Sequence, residues 1–203
     1  MVDAARALDD LKTAGISTVV DLTAVGLGRD VARLARVNEL TDINIVVTTG
    51  VYAWAIEPHV FRYRGPGKLF DGPDPMEELF VSDITEGVHG TNVKAGILKV
   101  ATDELGVTPA VDRILRCTAR AHRKTGVPIS THTHAASQRG LDQLRIFDDE
   151  GVDPSRVIIG HSGDTTDIDY LETMALRGVT LGMDRFGIDP FLSFEDRVAT
   201  VAQ

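Results

Sequence analysis

The chain has 203 residues, 43% hydrophobic and 25% charged, and its 30 acidic against 21 basic side chains give a formal net charge of -9. That length suits one domain with a sizeable core, and the acidic excess argues against nucleic acid or an anionic membrane surface as a natural partner. The lone cysteine, Cys117, excludes an internal disulfide. The charge-speckled opening "MVDAARALDDLKTAG" lacks the apolar core of a signal peptide, so a cytoplasmic protein is expected.

Short β-branched runs alternate with helical patterns along the chain, the signal for βα units on a parallel sheet. A first helix is marked by Ala4, Leu8 and Leu11, with Gly15 as its stop. Strands are expected at 17–23, 43–50, 95–102, 127–133, 156–162 and 179–185. Most of these runs are largely apolar, as for strands covered on both faces. Residues 53–75, with "YRGPGKLFDGPDP", read as one long irregular stretch, more often a lid or pocket wall than a linker. Thr108-Pro109 caps a helix carrying Ala110, Ile114, Cys117 and Ala121 on one stripe, and Gly126 ends it. Another helix spans 137–150, with Leu141, Leu144 and Phe147 facing in and Gly151 as its stop. Thr166, Leu171, Met174, Ala175 and Gly178 repeat the scheme, and Ser193 with Asp196 forms a capping box for a last helix.

Six strands leave two architectures open. A doubly wound sheet would carry a glycine-rich phosphate turn after its first strand, and "TAVGLGRD" supplies only Gly26 and Gly28 of that pattern. A (β/α)8 barrel needs eight strands. The chain starts with a helix and stops inside one, like a barrel lacking its first and last strands.

Both architectures place their chemistry at the carboxyl ends of the strands. There the chain delivers Lys99, His132, His161 and Arg185 from four consecutive strands. One strand-end histidine reads as a hydrogen-bonded structural residue and one strand-end arginine as a solvated charge, but the array as a whole points to a site. Two imidazoles and one further group suit zinc or a similar divalent ion. In "VPISTHTHAASQRG", His132 and His134 stand two apart on one strand face, so both could hold the metal or one could be a bystander. Lys99 would be desolvated in "AGILKVAT", which lowers its pKa and frees the amine for a Schiff base or a carbamate.

The blocks "GILKVATDE", "PISTHTHAASQRG", "VIIGHSGDTTDIDYL" and "LGMDRFG" resemble, in order, those of the phosphotriesterase family within the amidohydrolase superfamily. The resemblance runs from "VVDLTAVGLGRDV" onward. It implies a (β/α)8 TIM barrel, here strands 2 to 7 of 8 in one domain spanning 1–203, with a binuclear metal centre. Within that centre it implies a carbamate on Lys99, metal ligation by His132 and His161, and His134 as a pocket or surface residue. Tyr52 in "TGVY" and Arg185 in "DRFG" stand where the related lactonases carry pocket residues. The activity implied is lactone opening, of N-acyl homoserine lactones among others, by a metal-bound hydroxide, with promiscuous organophosphate triester hydrolysis. Zinc is the first choice of ion, with cobalt, iron or manganese as alternatives, and the full-length form is expected to be a homodimer. The family's first-strand His-x-His pair and eighth-strand aspartate have no counterpart here. Two rival readings therefore stand: a catalytically silent fragment binding one metal, and a Schiff-base aldolase using Lys99. His59, His89 and His122 read as surface residues, Cys117 as packing, "DDE" at 148–150 as a solvated helix end, and Asp164 as either a cap or an imidazole-orienting partner.

Overall fold

The computed structural model describes residues 1–54 and 57–203. Six parallel strands form one sheet: β1 (Thr18–Asp21), β2 (Asn44–Val51), β3 (Ile97–Thr102), β4 (Ile129–Thr133), β5 (Val157–Ile159) and β6 (Thr180–Leu181). Their spatial order is their chain order. Crossovers that never reverse direction, with the right-handed sense general to such units, place the connecting helices on one face and curl the sheet. This excludes the doubly wound alternative, whose strand order must turn back on itself, and leaves an incomplete barrel. Five of the six strands fall inside the expected runs, and β2 overruns its own by one residue, Val51. The last is shorter than expected, because residues 182–185 leave the ladder.

Eight helices accompany the strands among the described residues: α1 (Val2–Thr13), α2 (Val31–Asn38), α3 (His59–Arg62), α4 (Pro75–Thr85), α5 (Pro109–Thr125), α6 (Arg139–Asp149), α7 (Ile168–Leu176) and α8 (Phe194–Val201). None is long and apolar enough to cross a membrane. Capping chemistry sets their ends. Thr108 accepts from Val111 N and Gly126 closes α5 in the left-handed conformation. Ser193 caps α8 through Asp196 N. Helix α7 corrects the expected pattern: Asp167, not Thr166, is its N-cap, and Tyr170 rather than Ala175 is buried with Leu171 and Met174.

The core lies between the outer sheet face and these helices. Leu98, Val100, Ile129, Val157 and Ile159 meet Phe80 of α4, Ile114 and Leu115 of α5, Leu144 and Phe147 of α6, and Met174 of α7. Cys117 packs there too. The stretch 53–75 is partly ordered by α3, and positions 55 and 56 lie outside the described residues. Arg113 of α5 fastens it, donating to Phe61 O at 2.6 Å, Arg64 O at 2.7 Å and Asp74 Oδ2 at 2.7 Å.

Strands β1 and β6 each have one neighbour among the described residues, and Val20 on β1 is 48% exposed. Unpaired donors and acceptors beside exposed apolar side chains template association. We expect the 203-residue chain to self-associate at micromolar concentration. Light scattering checks this, and a monodisperse monomer would refute it.

Candidate active site

Strand register assembles the site. Gly50, Lys99 and Ser130 lie in one row across β2, β3 and β4, and Ala101 and His132 two rows further on. Alternation along each strand therefore puts Lys99 and His132 on the same, inner face. His161 and Arg185 arrive differently, from turns beyond β5 and β6, each in the left-handed conformation with φ of 63° and 62°. The His132 and His161 rings meet edge-on with centroids 4.7 Å apart, and Tyr52 tilts against His132 at 5.2 Å.

Hydrogen bonds decide which imidazole nitrogen is free. Asp184 Oδ1 lies 2.8 Å from His161 Nδ1, which leaves Nε2 facing the site. Burial is the largest single influence on Asp184 and works against its ionisation, but the hydrogen bonds and charge of His161 together with the Arg185 charge outweigh it and hold the carboxyl below its usual range. The carboxylate nearest to His132 is Asp103, with Oδ1 4.0 Å from Nε2. Burial, reinforced by neighbouring His161, pushes His132 down to about 4, so its imidazole is neutral at physiological pH. Burial raises Tyr52, with Asp103 adding to the effect.

Lys99 donates to Thr131 O at 2.7 Å. Burial lowers it from 10.5 to about 8, with Asp184 opposing and Arg185 adding. In the unfolded chain the amine titrates near its ordinary value. Between pH 8 and 10.5 the unfolded state thus binds more protons at this site, and the Lys99 contribution to the stability of the metal-free chain rises with pH. At 1.36 kcal/mol per pKa unit the full rise is on the order of 3 kcal/mol. Urea titrations across that window should show the stability of the parent chain rising by that amount relative to Lys99→Met, in which the opposing titrations of buried Cys117 and the tyrosines are unchanged.

A cavity of about 340 Å³ adjoins these groups, lined by Asp103, His132, His134, Asp164, Arg185 and Phe191 among others. The wall of this cavity comes from the loops after β3, β4, β5 and β6, whereas Ala53 and Trp54 of the stretch 53–75 line a smaller cavity that shares Asp103 with it. His134 is half-buried, with Nδ1 2.8 Å from Ser137 Oγ. His122 is a correction: it is buried, with Nδ1 2.7 Å from Val127 O, not a surface residue. Asp164 orients no imidazole. Its oxygens accept from Arg185 and Arg197, each at 2.6 Å. Asp184 is the partner that sequence reasoning missed, although "LGMDRFG" contains it.

Among the described residues no three His, Cys, Asp or Glu side chains converge as a metal site. Lys99, on the same inner face, could supply a third donor beside His132 and His161: a neutral His132 imidazole next to a depressed amine fits a divalent ion once that amine carries a carboxylate.

A singly wound parallel sheet gathering an amine and two imidazoles at its carboxyl edge is the layout of a barrel-type hydrolase. The profile of the phosphotriesterase family matches residues 2–203, and the chain belongs to that family. It is 57% identical over 196 residues to the phosphotriesterase homology protein of Mycobacterium tuberculosis, covering 97% of this chain and 60% of that protein. It is 42% identical over 198 residues to the aryldialkylphosphatase of Saccharolobus solfataricus, covering 96% and 61%. A solved structure of the phosphotriesterase from Mycobacterium tuberculosis aligns with a TM-score of 0.94 at 56% identity, over 98% of this chain and 61% of that one. The chain thus spans about 60% of the length of the curated relatives it matches.

Proposed function

We propose that this chain is the larger part of a metal-dependent hydrolase that opens lactones, N-acyl homoserine lactones among them, with promiscuous phosphotriester hydrolysis. The observation that carries the reading is the meeting of Lys99, His132 and His161 on one inner edge, with His161 oriented by Asp184. Family membership supports it, since that family is generally built on a binuclear metal centre. In this reading β1 to β6 stand for barrel strands two to seven, and the complete protein is a cytoplasmic homodimer.

His132, His161 and Lys99 would hold one divalent ion, zinc first. Such an ion, when bound, lowers the pKa of a coordinated water towards ~7 and polarises a carbonyl. The chain's own groups do the rest. The Lys99 amine adds to carbon dioxide with loss of a proton, which turns a lysine into a carboxylate donor. Asp184 keeps the His161 proton on Nδ1. Tyr52, against His132, and Arg185, at the cavity wall, position the ring and acyl arm of the substrate.

Metal content and hydrolysis of a lactone and a phosphotriester, measured on one sample, test this. Turnover that tracks metal supports it, and metal without turnover favours the silent single-metal fragment. Borohydride trapping of a keto substrate on Lys99 would favour the aldolase, against which the two adjacent imidazoles argue.

A further inference from the structure

Arg197 projects from α8 beneath the strand ends with 1% of its surface exposed. Its Nη1 donates to Asp164 Oδ1 at 2.6 Å, Gly163 O at 2.7 Å and Asp184 O at 3.2 Å, and its Nη2 to Ile188 O at 3.4 Å. The other Asp164 oxygen accepts from Arg185 Nη1 at 2.6 Å. Two guanidiniums therefore share one carboxylate. The next carboxylate, Asp184, commits both oxygens to His161, at Nδ1 and at the backbone N.

The sharing has an electrostatic consequence. Facing Asp164 alone, Arg185 would be neutralised by it. With Arg197 on the second oxygen, these three side chains together keep a positive charge, and Arg185 lines the cavity beside Asp164 while Arg197 stays buried behind them. Its guanidinium sits 4.5 Å above the Phe191 ring, so its position is set from both sides. A charge held in a partly desolvated cavity attracts more strongly than one in bulk water. Arg185 also keeps uncommitted N–H donors of the kind that grip carboxylate and phosphate oxygens.

We propose that Arg197 is a positioning residue that engages one Asp164 oxygen and so leaves the Arg185 charge only partly offset by that carboxylate, and that the cavity binds small organic monoanions on the outward Arg185 N–H groups. Both products of the proposed reactions belong to that class: a carboxylate from lactone opening and a phosphodiester from a phosphotriester. The inference rests on the proposed function only for this choice of ligand, because the binding needs neither metal nor turnover.

Calorimetric titration of the 203-residue chain with diethyl phosphate, at fixed salt and matched metal content, tests it. The parent chain should bind, and more weakly as salt rises. Arg185→Met and Arg197→Met should each lose about tenfold in affinity, and the double variant little more than either alone, because the two act as one unit. Arg197→Lys keeps the charge and should stay within about threefold of the parent, which also covers the case in which the methionine variant fails to fold. No binding by the parent chain, undiminished affinity in a folded Arg197→Met, additive losses, or a tenfold loss in a folded Arg197→Lys would each overturn the proposal. Hydrolysis and metal content are read separately, so failure of the hydrolase reading leaves this result distinct.

Discussion

His132→Ala and His161→Ala will each weaken divalent-metal binding by more than about tenfold, while His134→Ala will leave it nearly unchanged. His161 presents Nε2 because Asp184 occupies Nδ1 at 2.8 Å. His132, neutral because burial holds it near 4, meets that ring with centroids 4.7 Å apart. His134 lies past the end of β4, and its Nδ1 already faces Ser137 Oγ. Loss of an orienting partner alone costs ~10–100-fold in metal affinity, so loss of a ligand should cost at least as much. Elemental analysis after dialysis, with a chelator competition titration, gives the numbers. Equal loss in all three variants would show that His134 belongs to the ligand set.

Gly50→Ala will cost more than ~3 kcal/mol or leave the chain unfolded. Gly50 sits at φ +125°, and an added Cβ would lie 2.0 Å from Lys99 O and 2.8 Å from Lys99 N. Both atoms are backbone in the β2–β3 ladder, so no rotamer change relieves the clash, and the two strands must separate. The positive φ adds a further penalty of ~1 kcal/mol. Against a typical margin of ~5–15 kcal/mol this is a severe loss, and it falls on the row that carries Lys99. Urea denaturation of parent and variant measures it; a loss below ~1 kcal/mol would mean that the strands part easily.

The strands were legible because parallel strands covered on both faces become runs of β-branched residues, and all six match such runs to within one residue at Val51. Helices α2 and α4 were not read. Asp74-Pro75 opens α4 with the same cap-plus-proline signal as Thr108-Pro109 opens α5, but the glycines and prolines of 63–75 masked it. Within the site, Lys99, His132, His161 and Arg185 stood out as single polar residues ending apolar runs. Asp184 and Arg197 did not. Asp184 meets His161 only through a contact spanning 23 residues. Arg197 stands in a helix whose other charged residues, Glu195 and Asp196, are solvated, and no local pattern separates an inward arginine from an outward one. His122 misled for the same reason: its neighbours Arg123 and Lys124 are exposed while its own ring turns in.

The left-handed backbone at His161 and Arg185 sets stability against function. L-residues there bear a conformational penalty of ~1–2 kcal/mol that glycine does not. Selection for thermal resistance alone would therefore drift towards glycine at 161 and 185, hardening the scaffold while erasing an imidazole and a guanidinium from its rim. Ancestral or consensus redesign of this chain should hold those two positions fixed and seek its gains elsewhere.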